Sequence, residues 1–385
     1  MMPPLFDPFN PEHYLHPHER LAKLRNDCPI SEPAPWLVFV ARYKDVRMAL
    51  RNTSTFSNAG GVLFPEDTND PPTILQLDAP EHLRLRHLQT HMEGDMLAAI
   101  EPTIRKVTRA CIEAFAPLGR ADLMSELAFP LPTLLAMHFI HVPEEHQSQF
   151  SYWAEKIQGQ LPYQYKYHQE WSQLTLYLRE LIAHRRSEVP VESDMLTRLI
   201  QSKKNGATLT DDGIRMALFQ LVSGGMNVSM LIGSLIFELL QRHELWERVY
   251  KERMLITTSI DEALRHDAPS PWAMRLCVQE TMIGGVKIDP GKRVVLSLTS
   301  ANADEEIWSN PEAFSLDRGR SGHAHMAFGY GPHFCLGAAL SRLEMAIVLE
   351  ELLDHFPRLR LAPDFHYEGM KAAMLHGPQK LDVFW

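Results

Sequence analysis

The spacing of apolar residues divides the chain into a long helical middle with β-rich stretches before and after it. From Ile100 to Lys203 apolar positions recur at intervals of three and four, broken at Pro130 and Pro132 and resumed from Leu174 to Ile182, which predicts helices. Shorter helices are predicted from His18 to Asn26 and from Lys44 to Arg51, and Trp36-Leu-Val-Phe-Val-Ala41 reads as a strand. Asp78, with Pro80 two residues on, is expected to cap a helix carrying His82 and Arg86. Thr210-Asp-Asp opens the longest helix, running to Leu240, with two acids in its first turn. Gly285 to Leu298 reads as a hairpin of two β-rich runs around Pro290-Gly291, and Leu336 to Phe356 as an amphipathic helix.

Two stretches break the periodicity. Ser57 to Pro72 reads as a long loop, of the kind that serves as a lid or binding segment. Gln158 to Gln169, rich in Gln, Tyr and Pro, reads as a wet helix-loop-helix cover, and Met374-Leu-His376-Gly-Pro as a turn that can dip into a pocket. No repeat, low-complexity tract or linker divides the sequence. One domain spanning 1–385 is expected, mainly α with a smaller β lobe.

Composition narrows the class. Of 385 residues, 45% are hydrophobic and 22% charged, which is ordinary for a soluble globular protein. The net charge of −10 is spread along the chain, which argues against nucleic acid as a partner. Cys28, Cys111, Cys277 and Cys335 lie far apart without C-x-x-C pairing, so a reducing cytoplasm is expected. No signal peptide or membrane anchor is expected, because no apolar run approaches the ~20 residues of a span. His13, His16 and His18 read as solvated surface rather than metal ligands.

The candidate chemistry lies in Phe328-Gly-Tyr-Gly331-Pro-His333-Phe-Cys335-Leu-Gly337. A cysteine on a Gly-rich loop at a helix N-terminus faces unpaired N–H groups, which ease its deprotonation into a metal ligand. Gly329, Gly331 and Gly337 permit backbone angles and close approaches that a side chain blocks. Three readings fit: a buried structural cysteine, a zinc site from His323, His325, His333 and Cys335, or haem ligated by thiolate. His82 and Arg86 share a helix face and can bind a carboxylate, or simply form a solvated basic face.

This segment resembles the haem-binding loop of the cytochrome P450 family, F-G-x-G-x-H-x-C-x-G, at all six fixed positions. The resemblance implies a long distal helix over a haem b (iron protoporphyrin IX) and the Cys loop beneath it. Cys335 would ligate the iron, framed by Phe328, Gly329 and Gly337, and His82, Arg86, Arg275 and His333 would hold the propionates. Glu262, Arg265 and Arg318 match the family's structural Glu-Arg-Arg network, although a Glu and Arg three apart otherwise suggest a surface pair contributing a few tenths of a kcal/mol. Ala301-Asn302-Ala303-Asp304 resembles the family's A-N-R-D with Ala303 in place of the Arg.

The sequence departs from the family at the distal helix, where A-G-x-(D/E)-T is expected. Aligning the dipeptide with Gly224-Gly225 puts Asn227 at the acid and Val228 at the alcohol, with Ser229 one position later. Sliding back to Ser223-Gly224 puts Met226 and Asn227 there. Neither register restores an acid beside a threonine. Cleaving dioxygen consumes two protons, and valine cannot donate one while an Asn amide does not titrate. Gly225, Asn227, Val228 and Ser229 are therefore the candidate catalytic group, with water or a substrate hydroxyl completing the relay.

The resemblance implies a soluble bacterial monooxygenase acting on a lipophilic terpenoid, steroid, polyketide or fatty acid. The expected pocket comprises Val62, Leu63, Phe64, Val222, Gly225, Met226, Trp272, Met274 and Met374. The chain carries no flavin or iron–sulfur motif of its own, so a ferredoxin and its reductase are the expected electron donors, docking on a basic patch near the Cys loop that includes Arg342. The missing acid-alcohol pair leaves open a peroxide-driven or non-oxygenating haem-thiolate enzyme, and a haem-binding sensor is a further alternative.

Overall fold

The structure, a computed structural model, describes residues 5–60, 71–89, 94–158, 169–187, 194–204, 206–318 and 324–385. It has the expected mainly helical lobe with a smaller β lobe. The helix Asp211–Gln241 crosses the centre of the helical lobe, packed against Pro130–Ile140, Gln169–Ser187, His243–Lys251, Leu255–His266 and Ala338–His355. Thr210 Oγ1 accepts the Gly213 N–H at 3.0 Å, which is the cap its sequence foretells.

This helix corrects the expectation that no run is apolar enough for a membrane. By length and composition it passes as a span, yet 72% of its most apolar window is buried in the fold. A helix apolar on every side is one surrounded by other protein. The helix Ala338–His355 departs in the same way from the amphipathic reading, since it buries Leu340, Met345, Ile347, Val348, Leu349 and Leu352 around more than one face.

In the β lobe five strands run in the order Ile30–Ala34, Leu37–Val40, Arg293–Ser297, Trp272–Cys277 and Phe56–Ser57. Alternate residues face opposite sides of a strand. Val38, Val40, Val294 and Leu296 accordingly join one apolar cluster, while Leu37, Phe39, Val295 and Met274 join another. Both faces are covered, so Leu37–Val40 reads as an unbroken apolar run.

The two runs around Pro290-Gly291 do not pair with each other as expected. Val286–Ile288 instead pairs back with Thr281–Ile283 across Gly284-Gly285, whose φ values of 55° and 83° suit a two-residue hairpin turn. Arg293–Ser297, fully apolar at its centre, is taken by the large sheet. Asp78 also departs from its expected role. Its carboxylate accepts the Asn58 N–H at 2.9 Å and the Ser57 hydroxyl, tying the preceding loop down, while its carbonyl accepts the His82 N–H.

Glu262, Arg265 and Arg318 form a buried network rather than a surface pair. Arg265 contacts both Glu262 oxygens at 2.8 and 2.9 Å, Arg318 Nε lies 2.9 Å from Oε1, and the Ser315 N–H adds a further bond. The remaining guanidinium donors of Arg265 reach the carbonyls of Asn302, Pro311 and Ala313, fastening the helix Leu255–His266 to the meander before the Cys loop. Burial by itself would raise the Glu262 carboxyl, but the hydrogen bonds and charge of Arg265, then Ser315 and Arg318, hold it below its ordinary value.

Removing one member of a buried pair leaves an uncompensated charge and costs about 3–5 kcal/mol. Glu262→Ala is expected to lower the thermal midpoint by about 4–6 °C, as the entropy of unfolding for a chain of this size implies. Because the folded carboxyl titrates below the unfolded one, its contribution is complete above the unfolded value and is lost as pH falls through the folded one. Thermal scans across the acid range should therefore show the gap between wild type and Glu262→Ala closing at low pH.

Candidate functional site

Backbone hydrogen bonds shape the loop that carries Cys335. Gly329 N–H reaches Met326 O at 2.8 Å, Cys335 N–H reaches Phe328 O at 2.9 Å, and Phe334 N–H reaches Gly331 O at 3.0 Å. Gly329 and Gly331 have φ of 72° and 78°, which side chains disfavour, and a Cβ on Gly331 would lie 3.1 Å from Leu50 O. The buried Asn302 anchors the start of the loop by accepting the Met326 N–H at 2.6 Å. The loop delivers Cys335 to the N-terminus of the helix Ala338–His355, with Gly337 at the cap.

Cys335 is open to an internal cavity while protein atoms surround it closely. Burial pushes its thiol up, and the Gly337 N–H, Arg86, Arg342 and the Ala338 N–H pull it down. The cavity, of about 790 Å³, lies between this loop and the long helix. Phe328, Gly329, His333 and Gly337 line it with Cys335, and Gly224, Gly225, Met226, Asn227 and Val228 line it from the helix. A Cβ on Gly224 would meet nothing within 4 Å, so close helix packing does not explain that glycine.

One wall gathers nitrogen atoms that lack partners. Arg275 is 5% exposed, His82 1% exposed, and Arg275 Nε, His82 Nε2 and His333 Nδ1 have no hydrogen-bond partner. The His82 and His333 rings stand 3.8 Å apart between centroids. Burial, then Arg86, lowers His82; burial, then His82 and Arg275, lowers His333 to about 3. Both imidazoles are therefore neutral near pH 7. Arg275 is lowered by burial to about 10, and no carboxylate lies within ion-pair distance of it among the described residues. A buried cation in this state calls for an anion, and Arg86 lines the same cavity.

On the long helix the expected relay is rearranged. Asn227 lines the cavity, and its Oδ1 accepts the Ser270 hydroxyl at 2.7 Å. Ser229 is buried and donates back to Gly225 O at 3.2 Å, so its hydroxyl turns away from the cavity and does not replace the missing alcohol. Val222 likewise packs into the helical core instead of lining the pocket. Trp272, Met274 and Met374 do line it. Val62, Leu63, Phe64 and the cover between Gln158 and Gln169 lie outside the described residues.

The zinc reading loses a donor. His325 Nδ1 accepts the Ala327 N–H, and its Nε2 lies 3.2 Å from Arg342 and 3.6 Å from Asp261. Arg342 is itself bound to Asp261 at 3.1 Å and sits over the Phe328 ring, with its side chain still partly exposed. Three lining residues carry no signal in the sequence. Trp171 and Phe219 meet edge to face at 4.4 Å, and Glu344, pushed by burial to about 8, is a neutral acid near pH 7. Trp171 and Phe219 sit in ordinary helical periodicity; Ser270, between Pro269 and Pro271, is singled out only by its prolines.

A family model described as Cytochrome P450 matches residues 160–364. Cytochrome P450 107B1 of Saccharopolyspora erythraea is 30% identical over 95% of this chain and 94% of its own length. The erythromycin C-12 hydroxylase of the same organism is 29% identical, covering 93% and 92%. A crystal structure of CYP109E1 from Bacillus megaterium in complex with testosterone superposes with a TM-score of 0.86 at 28% identity, covering 98% of this chain and 99% of that one. Agreement over this much of the sequence, together with the Cys loop beneath the long helix, places the chain in the cytochrome P450 family as a haem-dependent monooxygenase, an oxidoreductase that incorporates oxygen.

Proposed function

We propose that the chain is a haem b monooxygenase that inserts one oxygen atom into a lipophilic small molecule of steroid, polyketide, terpenoid or fatty-acid character. The observation that carries this reading is the convergence of three unpartnered buried nitrogens, on Arg275, His82 and His333, at a cavity floored by Cys335. Carboxylates are what such a wall lacks, and haem propionates supply two. Arg275, His82, His333 and Arg86 would hold them, Cys335 would ligate the iron, and Phe328, Gly329 and Gly337 would frame the ring. When bound, the haem supplies reductive activation of dioxygen and transfer of one oxygen atom.

The protein's own residues bind, orient and supply protons. Trp171, Phe219, Met226, Trp272, Met274 and Met374 offer an apolar surface, which suits a substrate with few polar groups. Relatives named for erythromycin hydroxylation and a neighbour solved with testosterone support the polyketide and steroid classes. Asn227, with Oδ1 occupied by Ser270, keeps its amide N–H groups for a water in the cavity, so Ser270 and Asn227 together position the proton donor. Electrons arrive from a ferredoxin and its reductase. The exposed Arg47 and Arg51 flank Tyr330 of the Cys loop in a shallow groove, and Phe334 is exposed nearby, a basic and aromatic face that complements an acidic carrier. Residues 1–385 act as one haem-binding domain, and four unpaired cysteines suit a cytoplasmic setting. A peroxide-driven reaction is the second reading, favoured by the absence of an acid at Asn227 and by the turned-away Ser229.

Visible-absorption titration with steroids, macrolides, terpenoids and fatty acids should show displacement of haem-bound water by at least one class. That ligand should then give a stoichiometric oxygenated product with NADH, ferredoxin and reductase; product from peroxide alone would establish the second reading. Cys335→Ser should abolish the thiolate signature of the ferrous carbonyl spectrum, and Arg275→Leu should at least halve haem per chain by pyridine haemochrome. Asn227→Ala and Ser270→Ala should each lower product formed per NADH by about threefold or more, a loss of roughly 0.7 kcal/mol in the productive branch. Arg47→Glu with Arg51→Glu should slow ferredoxin-supported turnover about tenfold at low salt and leave peroxide-supported turnover unchanged.

A further inference from the structure

Away from the cavity, three segments distant in sequence bring a second set of metal-ligating side chains together. His18 comes from the helix Pro17–Asp27, Asp267 directly follows the helix Leu255–His266, and His376 lies in the C-terminal turn. One ligand-capable atom of each lies within 4.8 Å of the other two. His376 Nε2 stands 2.6 Å from Asp267 Oδ1. His18, expected from its sequence to be solvated surface, is only part-exposed and belongs to this cluster.

Two imidazoles and a carboxylate are a donor set suited to Zn²⁺, with a water completing the tetrahedron. Ligand atoms of a tetrahedral zinc lie roughly 3.2–3.5 Å apart, given bonds of about 2.0–2.1 Å, so a bound ion would part His376 and Asp267 from their 2.6 Å hydrogen bond and gather the three atoms, now within 4.8 Å, around itself. An outer layer is also in place. His266 stacks on His18 with centroids 5.9 Å apart, its Nδ1 lies 3.3 Å from Glu238, and its Nε2 lies 3.1 Å from Glu312 O. The Glu312 carboxylate is 3.8 Å from His18 Nδ1. These contacts surround the His18 ring, and the Glu312 carboxylate lies near enough for its charge to favour a cation there. A lone His376–Asp267 hydrogen bond would require neither the third side chain nor this layer.

We propose that His18, Asp267 and His376 form a structural Zn²⁺ site that ties the N-terminal helix to the C-terminal turn bordering the substrate cavity. Leu375, which precedes His376, and Met374 both line that cavity. Gly377, which follows, lies so close to the long helix that a Cβ would stand 2.9 Å from Met230 Cβ. Met230 lies one turn after Asn227. The cation thus fixes one wall of the cavity from behind without touching the haem or the substrate.

The test uses tag-free holoenzyme, stripped with EDTA and exchanged into chelator-free buffer, titrated with Zn²⁺ by calorimetry and analysed for zinc against haem iron. One zinc per iron, retained through desalting, and a thermal midpoint raised by Zn²⁺ are expected. His18→Ala and His376→Ala should each weaken binding at least tenfold, while His16→Ala, an exposed neighbour, should not. Absence of saturable uptake, or undiminished binding in either variant, overturns the three-donor site. If His376→Ala does not fold, His18→Gln on the outer helix decides the matter alone.

Discussion

Among the buried arginines, Arg265 and Arg275 differ in how their charge is balanced, and that difference organises the rest. Arg265 is neutralised within the chain by Glu262, and its remaining donors reach three carbonyls. Arg275, also buried, has no carboxylate within ion-pair distance among the described residues, and its Nη1 donates to the carbonyl of Met274. A charge withdrawn from water must be balanced or it destabilises the fold. The chain resolves the first case itself. The second leaves a buried positive charge in one wall of an otherwise largely apolar cavity.

The opposite wall follows a different rule. The long helix is apolar all round because other helices enclose it, so its irregular residues stand out by what they fail to pack against. Gly233 meets Met124 and Pro378 closely enough that a Cβ would overlap them, whereas Gly224 faces open space. The same helix therefore uses glycine for contact at Gly233 and for room at Gly224, near its middle. Asn227 lies beside that open stretch and takes its orientation from Ser270 on a different segment. The polar pair at this point of the cavity is thus drawn from two elements, Asn227 on the long helix and Ser270 on the segment before the strand Trp272–Cys277.

The C-terminal turn links these features. It lines the cavity through Met374 and Leu375, presses Gly377 on the long helix, and places His376 against Asp267 and His18. One short segment therefore communicates between the N-terminal helix and the substrate space. The β lobe supplies the other fixed border, since Trp272 and Met274 belong to a strand covered on both faces and cannot easily shift.

Much of this was written in the sequence. The Cys loop, the Thr210 cap, the mainly helical fold and the Glu262–Arg265–Arg318 set are local or motif-borne, because turn geometry, capping and helical periodicity depend on residues close in sequence. Pairing and direction were decided elsewhere. Both runs beside Pro290 are good strands, and only competition for the large sheet determined that Arg293–Ser297 left its neighbour. Ser229 carries a hydroxyl at a suitable position, and only the helix rotation that turns it toward Gly225 O removed it from the cavity. Ser270, Trp171 and His18 meet neighbours dozens to hundreds of residues away in sequence. The sequence by itself determined which chemistry was present and where helices begin. The tertiary structure decided which side chains share a cavity, since that depends on long-range packing that no local pattern encodes.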